Sequence, residues 1–366
     1  MIFTCDKSKL QESINIAQKA ITGKSTMSIL EGIYIKAENN IITLIGSDKD
    51  VSIETRMEAD VLQSGKVVID AKIFGEIIRK LPNDLITITT IENDIIKITC
   101  QKSEFDLLHM NAEDFPNLPK INENMIFSIP QGLLKNMIKG TSFAIAQDET
   151  RPILQGILFE VKDSNLNLVA LDGYRLAIRS EFINTSNTIN AVIPGKTLNE
   201  VAKILEDSNE IVNITFTPNH ILFNMGETKV ISRLLEGEFI KYEALLPKEH
   251  KLLINVNKQT LQNGIERASL MAKEGNSNLV KFNIIDDSII ITSNSQLGKV
   301  REEISIDLQG DEIQIAFNSK YLLDALKVME DENIEIKLTS NISPCIIKNK
   351  NNNCSEYLIL PVRIAK

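Results

Sequence analysis

Asp172-Gly173-Tyr174-Arg175 puts a carboxylate, a phenol and a guanidinium within four residues, types that can move protons or hold charge. Proton transfer needs these groups set against a second partner, and nothing nearby in the sequence supplies one. The segment is therefore expected to be a hairpin turn with a surface ion pair. The acidic pair Asp286-Asp287 also falls at an expected turn, where solvated charge is the default. No GxxxxGK[ST], GxSxG, HExxH or GxGxxG occurs, and no Ser/His/Asp or Cys/His arrangement stands out. The histidines, His109, His220 and His250, are isolated from one another and from any Cys or Asp cluster, so no metal site is expected. The cysteines, Cys5, Cys100, Cys345 and Cys354, form no CxxC and are expected to be reduced thiols filling small core positions. The expectation is a protein with no catalytic residues, no metal and no cofactor. A competing reading is a nucleic-acid hydrolase with an unrecognised acidic site, which a divalent-metal cleavage assay separates from the first. A third is an adaptor without a DNA role, which retention on circular DNA separates.

The elements around these residues repeat. At 366 residues the chain is long enough for two or three domains. Lysine recurs at 72, 196 and 320, in the contexts Ile69-Asp70-Ala71-Lys72, Ile193-Pro194-Gly195-Lys196 and Phe317-Asn318-Ser319-Lys320, a step of 124 both times. The helix after each lysine keeps one apolar stripe at i, i+3, i+4 and i+7. Its members are Phe74, Ile77, Ile78 and Leu81, then Leu198, Val201, Ala202 and Leu205, then Leu322, Ala325, Leu326 and Met329. Asp70 and Asn318 are suitable N-caps, with Pro194 in the third equivalent place. A second helix opens each repeat, with Leu10, Ile14, Ala17 and Ile21 matching Leu134, Ile138, Thr141 and Ile145, then Leu261, Ile265, Ala268 and Ala272.

Between the helices lie segments rich in Ile, Val and Thr, among them 33–37, 41–45, 85–91 and 95–100, with Asn39-Asn40 as a hairpin turn. Each repeat reads strand, helix, three strands, then the same again. This predicts an α+β chain of three tandem similar domains, each with two helices packed on antiparallel sheet. Proline-bearing joins at 111–124 and 245–248 set the domains at 1–120, 121–246 and 247–366.

Net charge is −9, which argues against a surface that coats nucleic acid everywhere. The expected helices, 8–24, 71–80, 130–140, 195–206, 257–274 and 319–330, nevertheless hold 15 Lys and Arg against 8 Asp and Glu. A helical face tolerant of phosphates, set in an acidic body, accounts for that split. No apolar run approaches the ~20 residues needed to span a bilayer, and the start, Met1-Ile2-Phe3-Thr4-Cys5-Asp6, has neither a basic nor an apolar leader region. A cytoplasmic protein is expected.

Several local segments, in this order, resemble one family. They are Met1-Ile2-Phe3-Thr4, Asp114-Phe115-Pro116-Asn117-Leu118, Thr150-Arg151-Pro152-Ile153-Leu154, the run Leu171-Asp172-Gly173-Tyr174-Arg175-Leu176-Ala177, and the ending Tyr357-Leu358-Ile359-Leu360-Pro361-Val362-Arg363-Ile364. Together they look like the bacterial DNA polymerase III beta subunit family, the sliding clamps, along essentially the whole chain.

The resemblance implies a head-to-tail homodimer whose six domains close a ring around double-stranded DNA without reading its sequence. It implies a dimer contact between Phe105 and Leu107 of one copy and Leu270 and Met271 of the other. It also implies a peptide groove used by the replicative polymerase, the clamp loader and repair polymerases. The matching groove positions are Leu154, Leu171, Gly173, Tyr174, Arg175, Leu176, Ile240, Ala244, Leu245, Ile342, Pro344, Leu358, Leu360, Val362 and Arg363, mostly apolar with a single strong donor. Ile240 stands where the family often has proline, Ala244 where an arginine can occur, and Ala365 and Lys366 run past the usual end. DNA-facing positions implied in the same way are Lys24, Lys72, Arg151, Lys196 and Lys320.

Overall fold

The computed structural model describes residues 1–23, 25, 27–119, 121, 126–148, 150–274, 278–352 and 354–363. Lys24, Ala365 and Lys366 lie outside the described residues.

The first repeat runs β1 (Ile2–Asp6), α1 (Lys7–Ala17), β2 (Gly32–Glu38), β3 (Ile41–Ser47), β4 (Val51–Glu58), β5 (Asp60–Gln63), β6 (Gly65–Asp70), α2 (Ala71–Lys80), β7 (Leu85–Ile91), β8 (Ile95–Cys100) and β9 (Ser103–Leu108). The second runs β10 (Ile126–Pro130), α3 (Gln131–Ser142), β11 (Gly156–Lys162), β12 (Asn165–Leu171), β13 (Arg175–Phe182), β14 (Ile189–Pro194), α4 (Gly195–Ile204), β15 (Ile211–Phe216), β16 (His220–Met225) and β17 (Thr228–Arg233). The third runs β18 (Leu252–Asn257), α5 (Lys258–Glu274), β19 (Leu279–Ile285), β20 (Ser288–Ser295), β21 (Gly298–Ser305), β22 (Asp307–Gln309), β23 (Ile313–Asn318), α6 (Ser319–Val328), β24 (Asn333–Leu338), β25 (Cys345–Asn349) and β26 (Ser355–Ile359). The expected order holds three times over, with β5 and β22 as short additions.

The stripes face inward as their spacing requires. Leu10, Ile14 and Ala17 are buried, as are Leu134, Ile138 and Thr141, then Leu261, Ile265, Ala268 and Ala272. Phe74 and Ile78 are buried while Ile77 only half packs on the same core, whose other members include Phe3, Ile35, Leu44, Ile88 and Ile98. Each such side chain contributes roughly 1.5–3 kcal/mol on leaving water. Asp70 caps α2 by accepting from Ile73 N at 2.8 Å, and Asn318 caps α6 by accepting from Lys320 N at 3.0 Å. Asp6, in the equivalent place before α1, accepts from Ser8 N at 2.8 Å.

The first helix is shorter than the expected 8–24. It stops at Ala17, tightens into one 3₁₀ turn at Gln18–Ala20, and Ile21 is extended. Its end is pinned from outside. A Cβ on Gly46 would sit 2.1 Å from the Ala17 carbonyl oxygen, and the Gln18 side chain donates to the Ala71 carbonyl. Periodicity carried the expected helix through a chain reversal that tertiary packing sets.

The strands do not stay within their own repeats. The chain divides into two compact units, Met1–Leu133 with Glu200–Leu234, and Leu134–Asn199 with Leu235–Lys366. The first holds the sheets β5-β1-β7-β8-β9 and β10-β15-β16-β17-β4-β3-β2-β6; the second holds β14-β11-β12-β13-β26-β25-β24-β18-β22 and β21-β20-β19-β23. All strand pairs are antiparallel, and two of them join repeats: β4 with β17, through Val51 opposite Ser232, and β13 with β26, through Arg175 opposite Ile359. Sequence periodicity contains no sign of these seams.

Candidate functional site: an apolar hollow beside the β13–β26 seam

The β13–β26 seam carries a hollow of about 220 Å³. Its walls are Leu171, Gly173, Tyr174, Arg175 and Leu176 from the β12–β13 hairpin, Leu358 from the C-terminal strand, Leu360 just beyond its end, Ile240 and Leu245, Pro344, and Arg151. Alternation along β13 explains the floor. Leu176 and Ile178 project to one face, into a core with Leu154, Leu158, Val169, Leu171, Ile346 and Leu358, while Arg175, Ala177 and Arg179 project to the other. Leu360 stays 38% exposed, with its N–H bonded to the Tyr174 carbonyl at 2.9 Å. Tyr174 is 61% exposed and stacks on Tyr321 of α6 with ring centroids 6.1 Å apart.

The hairpin turn is built for this position. Asp172 accepts from Tyr174 N at 2.9 Å and from Arg175 N at 3.1 Å, and Gly173 between them takes φ +92°, which glycine adopts without steric cost. A side chain there would also meet Arg151, whose Nη2 lies 3.2 Å from the place a Cβ would occupy.

Arg175 overturns the expected surface pair. It is buried, and its guanidinium donates to Asp172 Oδ2 at 3.0 Å, to Asp324 Oδ2 at 2.6 Å and to the Phe143 carbonyl at 2.5 Å. The same group lies 4.6 Å from the ring centre of Tyr321 and 5.3 Å from that of Phe143. Burial, with Asp172 as the next cause, pushes the Tyr321 phenol above its ordinary pKa. Of the groove positions expected from the resemblance, Arg175 thus directs three of its N–H groups into the fold. The cationic side chain exposed at the hollow is Arg151.

Arg151, expected from the resemblance to face DNA, lies exposed in the wall of the hollow. The chain begins its 3₁₀ turn, Pro152–Gln155, right after Arg151, and Leu154 of that turn is wholly buried. Leu154 therefore supports the hollow from below without lining it. Ala244, Ile342, Val362 and Arg363 also lie outside its walls and are exposed. Val362 is held by its N–H to the Ala316 carbonyl at 2.8 Å.

The equivalent turn at the β4–β17 seam is polar. Lys49 takes the place of Gly173 and has φ +81°, while Asp48 accepts from Asp50 N and Val51 N at 3.1 and 2.9 Å. Ser47 and Ser52 stand where Leu171 and Leu176 do and bond each other at 2.8 Å. The apolar residues that make a hollow are present at one seam and replaced at the other.

Of the expected DNA-facing residues, Lys72, Lys196 and Lys320 are exposed in the first turns of α2, α4 and α6. Of the expected dimer residues, Leu270 is 59% exposed on α5 and Phe105 37% exposed on β9. Met271 is half-buried and Leu107 packs partly against its own core. Leu297 and Leu108, neither of them picked out from the sequence, are more exposed than any of these. The thiols of Cys5 and Cys345 are pushed up to about 12 by burial, which removes thiolate chemistry at neutral pH. Among the described residues no group of three metal-ligating side chains converges, and no helix is long and apolar enough to cross a membrane.

Three family models match in tandem: the DNA polymerase III beta subunit N-terminal domain over residues 1–119, the central domain over 128–241 and the C-terminal domain over 243–363. The beta sliding clamp of Bacillus subtilis is 40% identical, with 99% of this chain and 100% of the relative covered. That of Halalkalibacterium halodurans is 36% identical with the same coverage. The crystal structure of the Bacillus subtilis DNA polymerase sliding clamp superposes with a TM-score of 0.97 at 39% identity over 100% of both chains. A Pseudomonas aeruginosa sliding clamp bound to griselimycin gives 0.94 at 28% identity, again over 100% of both. With three clamp domains in tandem and relatives matched along their whole length, the chain belongs to the DNA polymerase III beta subunit family, the bacterial beta sliding clamps.

Proposed function

We propose that the protein is a homodimeric ring that encircles duplex DNA and tethers the replicative polymerase to it. Its domains are 1–120, 121–246 and 247–366, and the two copies meet head to tail. Phe105 and Leu107 of one copy meet Leu270 and Met271 of the other. The ring works in the cytoplasm and without catalytic chemistry of its own, by topology and by display of a binding site.

The observation that carries this reading is the hollow at the β13–β26 seam. It is an apolar trough with one cation at its wall, of the kind that takes apolar anchors of an extended peptide. Clamp-binding peptides of the polymerase, the clamp loader and repair polymerases would place apolar side chains against Leu176, Leu358 and Leu360. Arg151 is suited to donate to a carbonyl or carboxylate of the same peptide. Lys72, Lys196 and Lys320, each at the start of the equivalent helix in its repeat, would touch phosphates from inside the ring. Such contacts are weak and independent of base sequence, as a ring that slides requires.

Retention on circular DNA tests the reading. Placed by a clamp loader on nicked plasmid, the protein should co-elute with the DNA in gel filtration at salt that removes it from short linear duplex. It should be lost once the plasmid is cut. Equal loss from circular and linear forms would mean ordinary surface binding.

A further inference from the structure

Ile240 and Leu245 reach the hollow from the segment that links the second repeat to the third, and both are exposed. The backbone of that segment is tied to strands near its two ends. Leu235 N–H bonds the Val192 carbonyl at 2.8 Å, and Lys251 N–H bonds the Leu338 carbonyl at 2.9 Å. Between them, among the described residues, the backbone pairs belong to one 3₁₀ turn, Tyr242–Leu245. They run from Ala244 N–H to the Lys241 carbonyl and from Leu246 N–H to the Glu243 carbonyl. Such bonds shape the turn; they do not fix where it stands against the sheet.

Two aromatic side chains do that. Phe239 and Tyr242 are buried in the core of Leu154, Leu158, Val169, Leu171 and Leu176. That core ends in a polar pair. Leu158 of β11 faces Val169 of β12 and, two residues on, Glu160 faces Asn167 on the same side of the sheet. The Tyr242 hydroxyl donates to Glu160 Oε2 at 2.7 Å, and Asn167 Nδ2 donates to the same oxygen at 3.1 Å. A hydroxyl bonded to a carboxylate is a stronger tie than one bonded to a neutral acceptor. Burial, and next the bond to Glu160, push the Tyr242 phenol above its ordinary pKa, so the donor keeps its proton through neutral pH. Tyr242 itself does not line the hollow.

The first repeat has the aromatic anchor without the hydroxyl tie. With the step of 124, Phe239 corresponds to Phe115, which packs on Tyr34 with ring centroids 5.4 Å apart. Glu160 and Asn167 correspond to Lys36 and Thr43, which face each other in the same way, and Lys36 pairs with Glu38 instead. After Phe115 the chain reads Pro116-Asn117-Leu118-Pro119; after Phe239 it reads Ile240-Lys241-Tyr242-Glu243-Ala244-Leu245-Leu246-Pro247. The tyrosine, its acceptor and Leu245 therefore occur together, in the repeat whose seam carries the hollow. Resting on the peptide-binding reading above, we propose that Tyr242 is a positioning residue for that site. Its hydroxyl, held by Glu160, fixes how far Ile240 and Leu245 stand from Leu176, Leu358 and Leu360. The ligand this selects is an extended peptide with a bulky aliphatic anchor. A wall at a set distance rewards a side chain that fills the gap, whereas a wall free to shift does so much less.

The test uses the full-length chain and two fluorescein-labelled clamp-binding peptides, one with leucine anchors and a twin with alanine in their place. Tyr242→Phe should weaken the leucine peptide about tenfold and the alanine twin hardly at all, so the preference for leucine falls by nearly that factor. Backbone amides of 240–246 should exchange with deuterium faster in the same variant. Glu160→Ala should behave alike, while Glu160→Gln, which still accepts from the hydroxyl, should recover affinity to within about twofold of the unmodified chain. Tyr242→Phe combined with Glu160→Ala should be no weaker than either alone, because both remove one bond. A preference for leucine that survives Tyr242→Phe would overturn the assignment even in a variant that melts earlier, since a purely structural contact would give that result. Additive losses in the double variant would overturn it as well. An unmodified chain that binds both peptides equally would instead overturn the peptide reading of the hollow itself.

Discussion

Arg175 Nη1 donates to Asp324 Oδ2 at 2.6 Å, which ties the strand at the base of the hollow to helix α6 by a pair that is nearly closed to water. Asp172 accepts from Nε of the same guanidinium and the Phe143 carbonyl from Nη2. Removing one member of a buried pair leaves the other charge without compensation, at a cost of roughly 3–5 kcal/mol. Arg175→Ala should therefore lower the urea midpoint strongly and weaken peptide binding with it. Unchanged stability in equilibrium unfolding would show that the pair is not closed in solution.

Gly173→Ala should cost about 1 kcal/mol, because the turn needs φ +92° at that position. The corresponding Lys49 shows that an L-residue can be held in this conformation, so the variant should still fold. Its peptide affinity should fall further than its stability, since the new methyl meets Arg151 in the wall of the hollow. Titration of a fluorescent clamp-binding peptide measures this, and wild-type affinity would remove Arg151 from the binding surface.

Leu360→Asp places a charge where an apolar anchor would otherwise be desolvated against the chain, and should abolish stimulation of a polymerase. Deleting 360–366 should do the same with the dimer intact. β26 ends at Ile359, so its pairing with β13 and β25 survives the deletion. Undiminished processivity in a primer-extension assay would place the polymerase contact elsewhere.

Lys72, Lys196 and Lys320 changed together to glutamate should impair loading and shorten synthesis per binding event, while sedimentation still reports a dimer. The loss should deepen as salt is lowered, because like-charge repulsion by phosphate is then least screened. Processivity equal to wild type at low salt would mean that these helix starts do not face the DNA.

Much of this molecule was legible because helical spacing reports burial locally. Phe74 and Ile78, Leu198 and Val201, and Leu322 and Leu326 each sit in a core as their spacing requires. Asp70 and Asn318 cap the helices they precede for the same local reason. The hidden part depends on partners far along the chain. The end of α1 depends on Gly46, and the fate of Arg175 on Asp324, 149 positions away. The place of Arg151 in the wall of the hollow was hidden too, because position in the repeat says nothing about which wall a side chain joins. The repeat itself held a clue to the difference between the seams: an apolar pair at 171 and 176 against serines at 47 and 52 separates the seam with a hollow from the seam without one.

The two seams within the chain have a genetic consequence. Because β4 is completed by β17 and β13 by β26, the second repeat finishes a sheet begun by the first, and the third one begun by the second. A gene chimera that exchanges one repeat between two clamps therefore transplants an edge strand without the neighbour it was selected to match. Crossovers at the repeat boundaries, where sequence similarity would most readily permit recombination, break these pairings, whereas exchange of an entire chain leaves them whole. The repeats can diverge from one another only as far as their shared edges allow, so residues such as Val51, Ser232, Arg175 and Ile359 should change in concert with the strand across the seam.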